Sequence, residues 1–172
     1  MTKLHLDEKW LEGDKDTLIK NISKVERLIL KNPFSERMVF LLGHQELATK
    51  RVPAVLGNES EPNCIGTLLW IAGLSKLDHP YHGYDSELEP HTKVEGDDWG
   101  DLFRVHPERK IPGALGVSYD YNGDCHTGIY LGEVKSTEVL FAQHGLGKRF
   151  GIETSRCYSN LRYYIPRTLR KN

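Results

Sequence analysis

The order of the chain, helical patterns first and strand patterns afterwards, predicts an α+β fold with N-terminal helices packed on a C-terminal antiparallel sheet. Three observations carry that expectation. Apolar residues recur at spacings of three and four through the first third of the chain. After Pro112-Gly113 the period shortens towards two, in segments parted by Gly, Asn and Asp. The two patterns are not interleaved, as a doubly wound parallel sheet requires, and no internal repeat or low-complexity tract is present.

In chain order, Leu18, Ile19, Ile22, Val25, Leu28 and Ile29 predict a first helix, with Asp16 or Thr17 as its N-cap and Asn32-Pro33 as its end. A second helix is expected from Ser35, capped by that side chain and carrying Met38, Val39, Leu41, Leu42 and Leu47 up to the stop at Pro53. The turn formers of residues 57 to 63 precede an apolar run from Cys64 to Leu74, which places Cys64 at a helix start. Residues 75 to 111 read as a long surface excursion with a short helix near residues 99 to 103. It carries Asp85, Glu87, Glu89, Glu95, Asp97, Asp98 and Asp101. Strands are expected near 114 to 120, 126 to 131, 137 to 143, 148 to 153 and 161 to 165.

Composition narrows the function classes. The 172 residues suit a single domain, residues 1 to 172, able to bury its own core without a metal or disulfide staple. With 23 Lys and Arg against 24 Asp and Glu the formal charge is -1, which argues against binding nucleic acid by bulk charge. From Lys148 onward, however, there are seven Lys or Arg and one carboxylate, Glu153, so the C-terminal face is locally basic. Cys64, Cys125 and Cys157 are odd in number and unpaired in spacing, which favours free thiols and a reducing compartment. No membrane-spanning run or signal peptide is read, so a cytoplasmic location, or export by a signal-independent route, is expected.

Cys64 leads the candidates for chemistry. A thiol at a helix N-terminus lies beside the positive end of the helix dipole, which favours thiolate. Ile65, Gly66 and Thr67 follow, with amides able to form an oxyanion hole and a glycine that lets a carbonyl approach. His126 opens the strand His-Thr-Gly-Ile-Tyr-Leu-Gly, and imidazole is the base best suited to neutral pH. A third group orients such a base, and Gln143 and His144, at the end of the next apolar strand, compete for that place. Strand alternation allows only one of them to face His126. Cys125 and Cys157 read as structural. His79 and His82 are ligand types but lack a partner pair at zinc spacing, so no metal and no cofactor is expected. The Gly145-Leu-Gly147-Lys148 stretch lacks the phosphate-loop frame and reads as a turn.

Taken in order, these segments resemble the NlpC-type cysteine peptidases, a branch of the papain-like superfamily acting on peptides of bacterial peptidoglycan. The resemblance is carried by Val52-Pro-Ala-Val-Leu-Gly57, Asn63-Cys-Ile-Gly66, Ile111-Pro-Gly-Ala-Leu115 and His126-Thr-Gly-Ile-Tyr-Leu-Gly132 with the apolar strand to Gln143. It spans about residues 35 to 169, as far as the aromatic and basic Arg162-Tyr-Tyr-Ile-Pro-Arg-Thr-Leu169, and leaves residues 1 to 34 as an N-terminal helical extension. It implies a papain-like NlpC-type core with Cys64 as nucleophile, His126 as base and Gln143 as orienting residue, His144 matching only with a one-residue slip. Asn63, Ile65 and Gly66 are the implied substrate-binding residues.

Two departures bear on substrate: Asn63 and Ala54 stand where the family has an Asp and a Tyr that hold the free amine of the stem peptide. Carboxylates of the excursion would attract a cationic group in their place. The expected function is therefore cysteine hydrolysis of an amide bond, with a peptide or peptidoglycan substrate. An acyltransferase or deamidase acting on a protein or lipid through the same site is the alternative, and a non-catalytic binding module is a third reading.

Overall fold

The structure, a computed structural model, describes residues 15–92, 102–119 and 125–169. Helices α1 (Lys15–Lys20) and α2 (Ile22–Lys31) are separated at Asn21, whose side-chain amide donates to Thr17 O at 2.6 Å. Asp16 therefore lies in the first turn of α1 and is not its cap. Leu18, Val25 and Ile29 recur on one face and are buried. The chain leaves α2 at Asn32-Pro33, as expected. There Asn32 accepts from Phe34 N at 3.1 Å and donates to Tyr130 O at 3.1 Å, tying the helix end to the sheet.

Helix α3 (Ser35–Gly43) includes Ser35 as its first residue, so Phe34 occupies the cap position without a side-chain bond. Leu47 lies beyond this helix, in a 3-10 turn, Gln45–Thr49. A short antiparallel pair, β1 (Val52–Pro53) and β2 (Glu59–Ser60), leads into α4 (Cys64–Ile71). All eight residues of α4 are buried, which makes it the central helix. Leu68, Leu69 and Ile71 each contribute about 1.5–3 kcal/mol of burial.

Six strands form one antiparallel sheet in the order β3-β8-β4-β5-β6-β7. They are β3 (Leu102–Val105), β4 (Leu115–Tyr119), β5 (Cys125–Val134), β6 (Thr137–Gln143), β7 (Phe150–Thr154) and β8 (Arg162–Pro166). Two features of the excursion differ from expectation. Residues 85 to 92 form helix α5 (Asp85–Thr92), and residues 102 to 105 are the edge strand β3 paired with β8, where a short helix was expected. The rest of that expected helix, residues 99 to 101, lies outside the described residues. Strand pairing wins at β3 because Leu102 is buried when it lies opposite Pro166.

The helices cover one face of the sheet. Leu18, Val25 and Ile29 share a core there with Leu68, Ile129, Phe141 and Ile152, so the N-terminal helices are built into the domain. A β-bulge between Tyr130 and Gly132 helps them approach: a Cβ on Gly132, at φ +143, would lie 2.9 Å from the Leu28 side chain. A smaller cluster of Ala114, Tyr130, Leu140 and Tyr163 occupies the opposite face. Among the described residues no helix is long and apolar enough to cross a membrane.

Candidate active site

Asn63 sets the start of α4. Extended at φ -125 and ψ 178, it accepts from Gly66 N at 3.0 Å through Oδ1, an N-cap bond. The same oxygen accepts from Gly83 N at 2.9 Å, and Asn63 Nδ2 donates to Gly83 O at 2.7 Å. One side chain thus caps the helix and clamps the loop after it. Gly66 permits this approach, since a Cβ there would lie 2.0 Å from Tyr81 O. The expected substrate-binding role of Gly66 is corrected accordingly: it packs against the Tyr81 to Gly83 backbone, while Asn63 and Ile65 line the cleft.

Cys64 is the first residue of α4 and 8% exposed. Its thiol donates to Cys125 O at 3.5 Å, and its carbonyl accepts from Thr127 Oγ1 at 2.9 Å, which pins the helix start to β5. Among the described residues the backbone N–H groups of Cys64 and Ile65 have no acceptor, as the first turn of a helix leaves them. They point the way for an oxyanion.

His126, the second residue of β5, meets Glu153 Oε2 through Nε2 at 2.7 Å. The Cys64 side chain also bears on the imidazole electrostatically. Glu153, on β7, is buried and is the hub of the site. Its Oε1 meets His144 Nδ1 at 2.6 Å, and its Oε2 also accepts from the Tyr158 hydroxyl at 2.7 Å. The Tyr158 ring stacks on His126, with centroids 4.8 Å apart and planes at 22°. Burial works against charge on His126, but the hydrogen bonds and charge of Cys64 and Glu153 outweigh it and hold its pKa up at about 10. Burial likewise opposes the Glu153 carboxylate; hydrogen bonds from His126, His144 and Tyr158 and the His126 charge outweigh it, and its pKa falls to about 2. Burial first, then Glu153, pushes the Tyr158 hydroxyl well above the ordinary tyrosine range.

Gln143 is not the orienting residue that the spacing suggested. Phe141 lies opposite Ile129, so β6 residues of odd number share the helix-covered face with Ile129. His126, three residues from Ile129 along a regularly paired stretch, faces the other way. Gln143 is fully buried and its amide is consumed elsewhere: it accepts from Thr67 Oγ1 at 2.6 Å and donates to Pro62 O and Lys148 O, each at 2.9 Å. His144 does reach the His126 face, but as a second partner of Glu153, with the two imidazole centroids 6.4 Å apart. Sequence reasoning missed Glu153 and Tyr158. A signal for the first was present, a lone carboxylate within the apolar Phe150-Gly-Ile-Glu-Thr154 in an otherwise basic C-terminal segment.

The unit opens onto a cleft of about 790 Å3. It is lined by the start of α4 at Asn63, Cys64 and Ile65, by residues 82 to 86, by the start of β5 at Cys125 and His126, and by the turn residues Gly145 and Leu146. Gly145 and Gly147 sit at φ +138 and +63, so the expected turn is a turn. Among the described residues no Lys or Arg lines the cleft, and Asp85 is its one carboxylate. Of the other acidic residues, Glu87 is taken up by the Tyr81 hydroxyl and Tyr84 N, and Glu95, Asp97, Asp98 and Asp101 lie outside the described residues. Among the described residues the three cysteines form no disulfide, and no group of three or more His, Cys, Asp or Glu is placed to hold a metal ion. Comparison of the chain with protein-family models, with curated proteins and with solved structures finds no match.

Proposed function

We propose that this chain is a cysteine hydrolase of the papain-like NlpC type, cleaving an amide bond in a peptide. The observation that carries the reading is the convergence, at one end of a cleft, of a helix-N-terminal thiol, an imidazole bonded to a buried carboxylate and two unengaged amides. Each has a place in acyl transfer. Cys64 attacks the substrate carbonyl carbon through its sulfur, its proton being held on His126. The oxyanion is received by the Cys64 and Ile65 N–H groups, which need no reorganisation to do so. His126 then protonates the leaving amine as the C–N bond breaks. Water, deprotonated by the same imidazole, releases the acid from the thioester and restores the thiol. Glu153 fixes the ring and keeps the imidazolium compensated throughout.

Among the described residues that line the cleft there is one carboxylate, Asp85, and no Lys or Arg, which favours a neutral or cationic substrate. Asn63 offers no charge for an amine and has its polar atoms engaged by Gly66 and Gly83. A peptidoglycan stem peptide remains the proposed substrate. The test is mass spectrometry of purified muropeptides and of a general peptide pool after incubation, with Cys64→Ala as control. Cleavage by the wild type alone in the muropeptides supports the reading. Cleavage only in the general pool keeps the hydrolase and discards the cell-wall substrate; cleavage in neither, beside an unreactive Cys64, rejects both.

A further inference from the structure

We propose that Tyr158 is a positioning residue for His126, a role that rests on the reading of Cys64 and His126 as the catalytic unit. Three independent features of the fold converge on it. The Tyr158 hydroxyl donates to Glu153 Oε2, the same oxygen that holds His126 Nε2, at the same 2.7 Å. Its ring lies nearly parallel to the imidazole, at 22° and 4.8 Å. The space for that hydroxyl exists because residue 128 is glycine: a Cβ there would lie 2.5 Å from Tyr158 Oη. Glycine weakens a central strand, so its presence inside β5 points to a close approach that a side chain would block.

Oε2 of Glu153 receives Tyr158 and His126, and Oε1 receives His144, so the carboxylate is held on both oxygens and cannot turn about its last torsion. The stacked ring covers one face of the imidazole, which opposes rotation of His126 away from Cys64 and keeps water from the Nε2–Oε2 bond. In this arrangement the glycine of the His-Thr-Gly stretch admits the tyrosine, the tyrosine locks the carboxylate, and the carboxylate aims the histidine. Tyr158 acts through other groups and touches no reacting atom.

The test needs no identified substrate. Alkylation of Cys64 by iodoacetamide, read by mass spectrometry from pH 5 to 10, is compared in wild type, Tyr158→Phe, Tyr158→Leu and Gly128→Ala. Cys125 and Cys157 serve as internal references. A positioning role predicts that Tyr158→Phe slows Cys64 alkylation at neutral pH about fivefold and that Tyr158→Leu slows it roughly 10 to 100-fold. Both should move the acid limb of the profile upward, because the histidine no longer holds the thiolate partner in line, and Gly128→Ala should copy the first. A residue that merely fills space would leave the limb where it is. Wild-type rates and limbs in both Tyr158 variants, with folded circular dichroism, overturn the proposal while leaving the Cys-His reading intact. Loss of the folded signal in Tyr158→Phe, which keeps the ring, makes the residue structural and also overturns it. A wild-type Cys64 no faster than Cys125 and Cys157 removes the catalytic unit itself, and the role of Tyr158 with it.

Discussion

Exchanging Glu153 for Gln separates the charge of the hub from its shape. The side chain is 1% exposed and receives bonds of 2.7, 2.6 and 2.7 Å from His126, His144 and Tyr158. Glutamine keeps the volume and one acceptor oxygen. Placed at Oε2, that oxygen retains Tyr158 and His126, and the amide nitrogen then faces His144, which can turn a bare ring nitrogen towards it. What disappears is the negative charge, and a buried imidazolium stripped of its partner costs about 3 kcal/mol or more. At about 2–4 °C per kcal/mol for a chain of this size, the melting temperature should fall by roughly 6–12 °C. His126 should lose its upward shift and titrate nearer the ordinary range of about 6.5. Turnover should drop on the order of 10^2 to 10^4-fold, as it does when a base loses its orienting carboxylate. Gln143→Ala is the contrasting variant. It leaves Thr67 and Pro62 O without their partner in the interior, at about 1–3 kcal/mol for each group, and frees the part-buried Lys148 O, so it should lower the melting temperature while Cys64 alkylation in the folded fraction stays near wild type. Differential scanning calorimetry and the alkylation rate read the two effects separately. A Gln143→Ala protein that is stable but inert, beside an active Glu153→Gln, would refute the assignment of the hub.

Cys64→Ser and His126→Ala should each reduce turnover on the order of 10^3-fold or more, with circular dichroism still showing a folded chain, because both side chains line the cleft; unfolding of both would make them structural. Stability should depend on pH from two sides. Glu153, held at about 2 against an ordinary glutamate value near 4.3, stabilises the fold above that ordinary value, and the contribution is lost as pH falls through about 2. His126, held at about 10, contributes fully below about 6.5 and loses its contribution as pH rises through 10. Melting temperatures should therefore be highest between about pH 4.5 and 6.5, with both flanks flatter in Glu153→Gln; identical profiles for the two proteins would disprove the linkage. Gly66→Ala drives a methyl group to 2.0 Å from Tyr81 O and 2.7 Å from Gly83 N, so it should destabilise by about 2–4 kcal/mol in chemical denaturation; a loss under 0.5 kcal/mol would show that the loop yields freely.

Elements with a strong period were legible in the sequence. The apolar stripe of α2, the continuous apolar run of α4 and the strand patterns of β4 to β8 appear where the sequence places them, because burial dictates residue type along each of these elements. Helix α5 and strand β3 were not legible. The polar Asp85-Ser-Glu-Leu-Glu-Pro-His-Thr92 shows no apolar stripe, and β3 is four residues at a sheet edge whose order depends on β8, sixty residues later in the chain. Cys64 was visible because its cue is local: turn formers before it, an apolar helix after it.

The third member of the site illustrates the limit of reading residues two strands apart. The expectation for Gln143 counted positions from Phe141 along one strand, and that count is sound: Phe141 and Gln143 do share a face. The error lies in the phase of the neighbouring strand, which only the register supplies. Ile129 lies opposite Phe141, and an odd step from Ile129 to His126 puts the imidazole on the face of Leu140 and Tyr130 instead. Leu140 also lies opposite Glu153, so the same register that turns Gln143 away from His126 brings the carboxylate of β7 to its face. His144, one position beyond Gln143, arrives there by alternation, and Tyr158 arrives through the turn Ser155–Cys157 over the gap left by Gly128. A polar residue buried in an apolar strand was the available clue at both positions. Gln143 and Glu153 each sit among hydrophobic neighbours, but an amide can be satisfied by backbone carbonyls, whereas an ionised carboxylate in a dry interior requires donors or cations. Applied to the basic C-terminal segment, that distinction selects Glu153 as the residue that must be surrounded by histidine, tyrosine or arginine, and hence as the more informative of the two.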